Sequence, residues 1–225
     1  MKKLLLTLGC LCFIGAALIT SVDICSFDRG FYDREYAKLG VAEYIGISDD
    51  ELQTVTTHLL DYIKDKHDDL TINATIKGEV REVFNEKEKL HMVDVKNLYL
   101  NVMTVRNVLL VAVAVILSYS LYKGFFAMHI KQSYGQAFAI AFGVVLAPGL
   151  SEIPDFENFW LSFHYIFFTN DLFFLDPTKD ILIMMVPEQF FFDLVMRITA
   201  TFVVMIAALP IVLWVKDKMK ARKAS

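Results

Sequence analysis

The chain has no glycine-rich phosphate loop, no G-x-S-x-G nucleophile turn and no H-E-x-x-H zinc motif. Phosphate-cradling, serine-hydrolase and zincin chemistry are therefore not written in it. Cysteine is scarce: Cys10, Cys12 and Cys25 cannot supply a four-cysteine zinc site. Cys10 and Cys12 fall inside an apolar run, where thiols read as inert packing groups. An excess of basic charge is also missing. The formal net charge of −4 offers no surface for nucleic acid. Neither proline nor glycine interrupts residues 80–122, so nothing there breaks a long helix.

What is present is apolar. The 225 residues are 56% hydrophobic, and the mean hydropathy is +0.46. Long uncharged runs alternate with charged stretches, the pattern of membrane spans joined by wetted segments. The runs begin at Leu4, Asn107, Gln136 and Pro187. They predict transmembrane segments over 1–22, 106–123, 136–153 and 187–215. The first run lacks a small-x-small cleavage site, and TLGC is a poor lipobox, so it reads as an uncleaved anchor. The third is short and carries Gly143 and Pro148. Parity supports it. Lys2, Lys3, Lys123, Lys131 and the basic tail 216–225 share one side only with four spans. The expectation is a protein dominated by α-helix with both termini and loop 124–135 cytoplasmic. Residues 23–105 and 154–186 then lie outside, in a small and mainly helical domain.

Local signals sharpen the outer segments. Ser48-Asp49-Asp50-Glu51 is a capping box opening a helix to about Lys64. Thr71–Ile76 alternates weakly, as a short strand would. From about Val83 the spacing is helical again and leads into the second span. Phe156, Phe159, Trp160 and Phe163 recur at i, i+3, i+4 and i+7, predicting an aromatic helix in the headgroup layer.

Five histidines are present. The topology places His91 and His164 at the outer membrane edge, while His58 and His67 sit in polar surroundings and His129 in the inner loop. Glu88, His91 and Asp94 are three apart and share a helical face, so a carboxylate beside the imidazole would fix its tautomer and raise its basicity. The same spacing also suits an ordinary salt-bridged surface histidine. His164, amid aromatics, needs a polar partner or a ligand, with Asn170, Asp171 and Asp176 nearby in sequence. Asp193 and Arg197 are four apart in the outer part of the last span. Mutual pairing is the default there, and Arg197 holding a polar headgroup is the alternative.

At these residues the chain resembles a known family. EKLHMVDVKNLYL and FHYIFFTNDLFFLDPTKDILIMMVPEQFF are similar to the two motif blocks of bacterial lipoprotein intramolecular transacylases. The wider layout is similar too. Leu172-Phe173-Phe174 departs from the pattern by lacking an expected tryptophan, an apolar exchange. The resemblance implies acyl migration in the bacterial plasma membrane. An ester-linked chain moves from the S-diacylglyceryl group to the α-amine of a lipoprotein's N-terminal cysteine, giving the N-acyl S-monoacylglyceryl (lyso) form. It implies His91 and His164 as catalytic residues, with Glu88, Asp94, Asn170, Asp171, Asp176 and Arg197 as supporting candidates. No cofactor and no metal is implied; the partners are diacylglyceryl lipoprotein N-termini and membrane phospholipids. Two other classes stay open from the residues alone. One is a metal-dependent membrane lipid ester hydrolase. The other is a non-catalytic lipid- or lipoprotein-binding membrane protein.

Overall fold

The computed structural model describes residues 1–146 and 155–224. The far end of the third apolar run, with Pro148, lies outside the described residues. Among the described residues helix dominates, with one two-stranded hairpin. In order the elements are α1 (Lys2–Ser26), α2 (Arg29–Leu39), α3 (Val41–Ile45), α4 (Asp49–Ile63), β1 (Asn73–Ile76) and β2 (Glu79–Glu82). Then come α5 (Glu86–Tyr122), α6 (Phe126–Ala141), α7 (Phe156–Phe167), α8 (Ile181–Met185) and α9 (Glu188–Ala224). A π-helical segment, Phe142–Leu146, continues α6. Among the described residues three helices are long and apolar enough to cross a membrane: α1, α5 and Glu188–Met219 of α9. As the unbroken run predicts, α5 is continuous from the first histidine block through the second apolar run.

The chain divides into two units. One holds Met1–Asp23 with the described residues of Met103–Pro154 and Met196–Ser225. Its core joins Cys10, Ile14 and Ala17 of α1 to Ile130, Tyr134 and Ala137 of α6 and to Phe202 and Ile206 of α9. Small residues let these helices approach closely. A Cβ added at Gly9 would sit 2.8 Å from Ile116 Cγ2, so α1 meets α5 there only because glycine has no side chain. Two polar contacts lie within the unit. Tyr134 donates to the Ile206 carbonyl at 2.5 Å, and Arg106 pairs with Asp23 at 2.8 Å. Helix is already formed from Phe126, where a loop to residue 135 was expected. The segment is amphipathic: Ile130, Ser133, Tyr134 and Ala137 are buried, while Met128, Lys131 and Gln132 are exposed. A search for uncharged runs passes over such a helix.

The second unit holds Ile24–Val102 and Asp155–Val195. Its core gathers on Phe190, in the first turn of α9, which is fully buried. Phe31, Tyr32 and Tyr36 of α2 surround it with ring centroids at 5.2, 5.0 and 5.9 Å. The capping box forms: Ser48 Oγ accepts from the Glu51 amide at 3.3 Å. Glu51 does more than close the box. Its carboxylate accepts from the Ser48 hydroxyl and from the Thr75 amide, which ties α4 to the hairpin. Asp193 takes Lys38 as its salt-bridge partner, together with Gln189 at 3.1 Å, in place of the expected Arg197.

Replacing Phe190 with alanine would leave a cavity at the point where α2 and α9 meet. Large-to-small core changes of this kind cost about 3–5 kcal/mol. Phe190→Ala should therefore unfold at a clearly lower temperature in detergent micelles, and an unchanged midpoint would contradict this description of the core.

Candidate active site

The two sequence-predicted histidines meet inside the second unit. Their ring centroids are 6.1 Å apart, and both are buried, at 7% and 8% exposure. His91 stands in the second turn of α5 and His164 near the end of α7. Aromatic rings wall them in. Phe168 contacts both, edge-on to His91 at 5.3 Å and tilted on His164 at 5.7 Å. Trp160 and Phe173 flank His164 at 4.7 and 4.8 Å.

The hydrogen bonds assign the nitrogens. His164 Nδ1 lies 2.7 Å from the Trp160 carbonyl. A carbonyl only accepts, so Nδ1 carries the proton and Nε2 is left with its lone pair. His91 Nδ1 is buried without a hydrogen-bond partner among the described residues. A polar atom so placed is available to a ligand.

Electrostatics reverse one expectation. Carboxylates at i−3 and i+3 were expected to raise the basicity of His91. Instead it is pushed down from 6.5 to about 4, first by burial, next by the neighbouring His164. Asp94 opposes the shift and Lys87 adds to it. His164 is also lowered, mainly by burial. Both imidazoles are therefore neutral near pH 7.

The supporting candidates separate. Asp94 accepts from Asn170 Nδ2 at 2.8 Å, which pins the loop after α7 beside His91. Glu88 shares the helix face in spacing only. Its side chain reaches back to the Asn85 amide at 2.7 Å and takes the Leu182 amide at 2.6 Å. Asn85 Oδ1 accepts from the Glu88 amide at 3.1 Å, completing a reciprocal cap on α5. Asp176 is a turn residue, accepting from the Thr178 amide and hydroxyl. Asp171 is exposed. Arg197 belongs to the other unit.

Two residues escaped the sequence reading. Asp180 is buried and accepts from Asn85 Nδ2 and from the Asp176 amide, each at 2.7 Å. Its position just before the apolar ILIMM helix was the available signal. Lys87 sits one helical turn before His91 and donates to the Phe174 carbonyl.

Comparison with known proteins gives the family and the fold. The family model for the lipoprotein intramolecular transacylase Lit matches residues 7–191. The chain belongs to that family. A solved structure of the membrane-integral Lit from Bacillus cereus superposes with a TM-score of 0.76 at 21% identity, covering 97% of this chain and 98% of that one. Two structures of the same transacylase with one histidine replaced also match. The arginine variant gives a TM-score of 0.75 at 20% identity, with 98% and 95% coverage. The alanine variant gives 0.72 at 20% identity, with 100% and 96% coverage. At that identity the likeness establishes a shared fold. No curated protein matches the chain. As a Lit family member it is a membrane protein of the transacylase class acting on lipoproteins. Among the described residues no group of three or more His, Cys, Asp or Glu side chains could hold a metal ion.

The lowered basicity of His91 has a consequence for stability. Folded, it stays neutral down to about pH 4, whereas in the unfolded chain it titrates near 6.5. Between those values the unfolded state binds the extra proton, so stability falls as pH drops below about 6.5. The loss reaches about 3 kcal/mol near pH 4. The unfolding temperature of the parent should fall more steeply between pH 7 and pH 5 than that of His91→Gln. Equal slopes would contradict the assignment.

Proposed function

We propose that His91 and His164 together move an acyl chain within one diacylglyceryl lipoprotein. The observation that carries this reading is the pair of neutral, buried imidazoles facing each other in an aromatic enclosure. Such a place suits a lipid ester and excludes water from a reactive intermediate. The reaction needs a base for the α-amine, whose pKa is about 8. It also needs a donor for the oxyanion and a proton for the departing glycerol oxygen.

The two imidazoles meet these needs in complementary ways. His164 Nε2, left as an acceptor by the Trp160 bond, takes a proton as the amine nitrogen attacks the ester carbonyl. His91 offers an N–H from its unpartnered Nδ1 to the developing oxyanion. The tetrahedral intermediate then collapses. The acyl carbon–oxygen bond breaks, the oxygen stays on the middle glycerol carbon, and His164 returns its proton to that oxygen. A C–N bond replaces a C–O bond, one proton moves from nitrogen to oxygen, and the enzyme is unchanged. Because amine and ester share one molecule, the site has mainly to hold them in attacking geometry. Ester to amide runs downhill, so no energy source is required.

The topology belongs to the same reading. Four spans, with 136–153 as the third, put the basic segments and both termini in the cytoplasm. Residues 23–105 and 154–186 then lie outside, where lipoprotein N-termini sit. Phospholipid contacts fall on the exposed aromatic and aliphatic side chains Tyr165, Ile166 and Phe167.

Mass spectrometry of a lipoprotein's N-terminal peptide tests the chemistry. His91→Gln and His164→Gln should each lower lyso-form production by 10²–10⁴-fold, the usual worth of a positioned acid or base. His58→Ala and His67→Ala should leave it unchanged; those two rings stack on each other at 4.6 Å. Activity should persist in chelator. Full activity of His164→Gln would refute the mechanism, and loss in chelator restored by one metal ion would favour a metallohydrolase. Topology has its own test, in a background lacking Cys10, Cys12 and Cys25. An impermeant thiol reagent should label Asn73→Cys and Thr178→Cys in intact cells but not Gln132→Cys. The reverse pattern would overturn the orientation.

A further inference from the structure

We propose that Lys87 is an electrostatic positioning residue of the transfer reaction, a fixed cation that disfavours a second positive charge on the dyad and on the amine brought to it. The proposal rests on the acyl-transfer reading of His91 and His164. Three observations carry it. Lys87 precedes His91 by four residues, so both project from one face of α5. Its ammonium, on an exposed side chain, donates to the Phe174 carbonyl. Phe174 adjoins Phe173, whose ring lies 4.8 Å from that of His164, so the bond ties Lys87 to the loop that walls the second imidazole.

The charged and titratable groups acting on His91 are Lys87 and Asp94 on its own helix and His164 on α7. Asp94, three residues on, would by itself favour an imidazolium. Lys87, on the opposite side along the helix, offsets it, and burial then keeps His91 neutral. The same field acts on the substrate. An α-amine entering as an ammonium cannot attack a carbonyl. A neighbouring cation lowers the cost of shedding that proton, as for amine nucleophiles placed beside a second positive group. Lys87 thus touches neither the bond formed nor the bond broken; it acts through the field at the amine and at His91.

The rate at saturating lipopeptide, followed against pH, reports groups in the bound complex. Removing one partly solvated charge at this range should displace an acid limb by an amount that reads as about a three- to tenfold loss on that limb. Lys87→Gln keeps a donor for the Phe174 carbonyl but loses the charge. Its acid limb should move to higher pH, with activity recovering toward the parent at alkaline pH. Lys87→Arg keeps the charge and should keep the limb in place. Asp94→Asn should move the limb the other way. That opposite sign separates a field effect from loop tethering, since Asp94 holds Asn170 of the same loop. Lys87→Gln losing activity equally at all pH values, showing an unmoved limb, or shifting in the same direction as Asp94→Asn would each overturn the proposal. A fully active His91→Gln measured alongside would overturn the dyad reading instead.

Discussion

Burying two imidazoles side by side makes charge expensive on both, and the rest of the site follows from that cost. Each ring is more than nine-tenths buried, so an added proton is poorly solvated, and each would repel a proton on the other. His91 and His164 are both held below their ordinary basicity for this reason. A dyad that resists protonation is ready to accept a proton only from a group it holds close. It also leaves an N–H free to donate without first acquiring charge. The aromatic walls formed by Phe168, Trp160 and Phe173 create that condition. They would suit acyl chains equally well.

Such an arrangement needs rigid supports, because among the described residues no salt bridge holds either ring. The support under His91 is the start of α5. There Glu88, itself buried and raised in pKa mainly by desolvation, closes a cap with Asn85 and receives the Leu182 amide. Asn85 in turn donates to the buried carboxylate of Asp180. Two buried carboxylates thereby satisfy backbone and side-chain donors from α5, α8 and the turn before α8. Asp94 with Asn170, and Lys87 with the Phe174 carbonyl, pin the loop after α7 to α5 on either side of His91.

Much of this was legible in the residues. The long α5 followed from 43 residues, 80–122, without proline or glycine. Ser48 and Glu51 announced α4, and Pro187 the start of α9. The two histidine blocks pointed to the dyad. What stayed hidden was direction rather than position. Glu88 and His91 are three apart, which says neighbours. Side chains on a helix, however, lean toward its N-terminus, and Glu88 lies in the first turn where free amides await. Asn-x-x-Glu at 85–88 carried that message as a cap. α6 was missed in part because its buried stripe is interrupted by Lys131 and Gln132, and α2 because its apolar side chains are mostly tyrosine and phenylalanine spread among charges. The lowered basicity of His91 could not be read from spacing at all; it depends on how many rings close around the imidazole.

The central claim is that the two imidazoles act as one unit on one bond exchange. Groups that share a single step are strongly non-additive when removed. The decisive measurement is the rate of lyso-lipoprotein formation by His91→Gln, His164→Gln and the double variant, assayed together on one lipopeptide. The double variant should be no slower than the worse single variant by more than a small factor. A double variant whose loss is the product of the two single losses would show the histidines working independently and would contradict it.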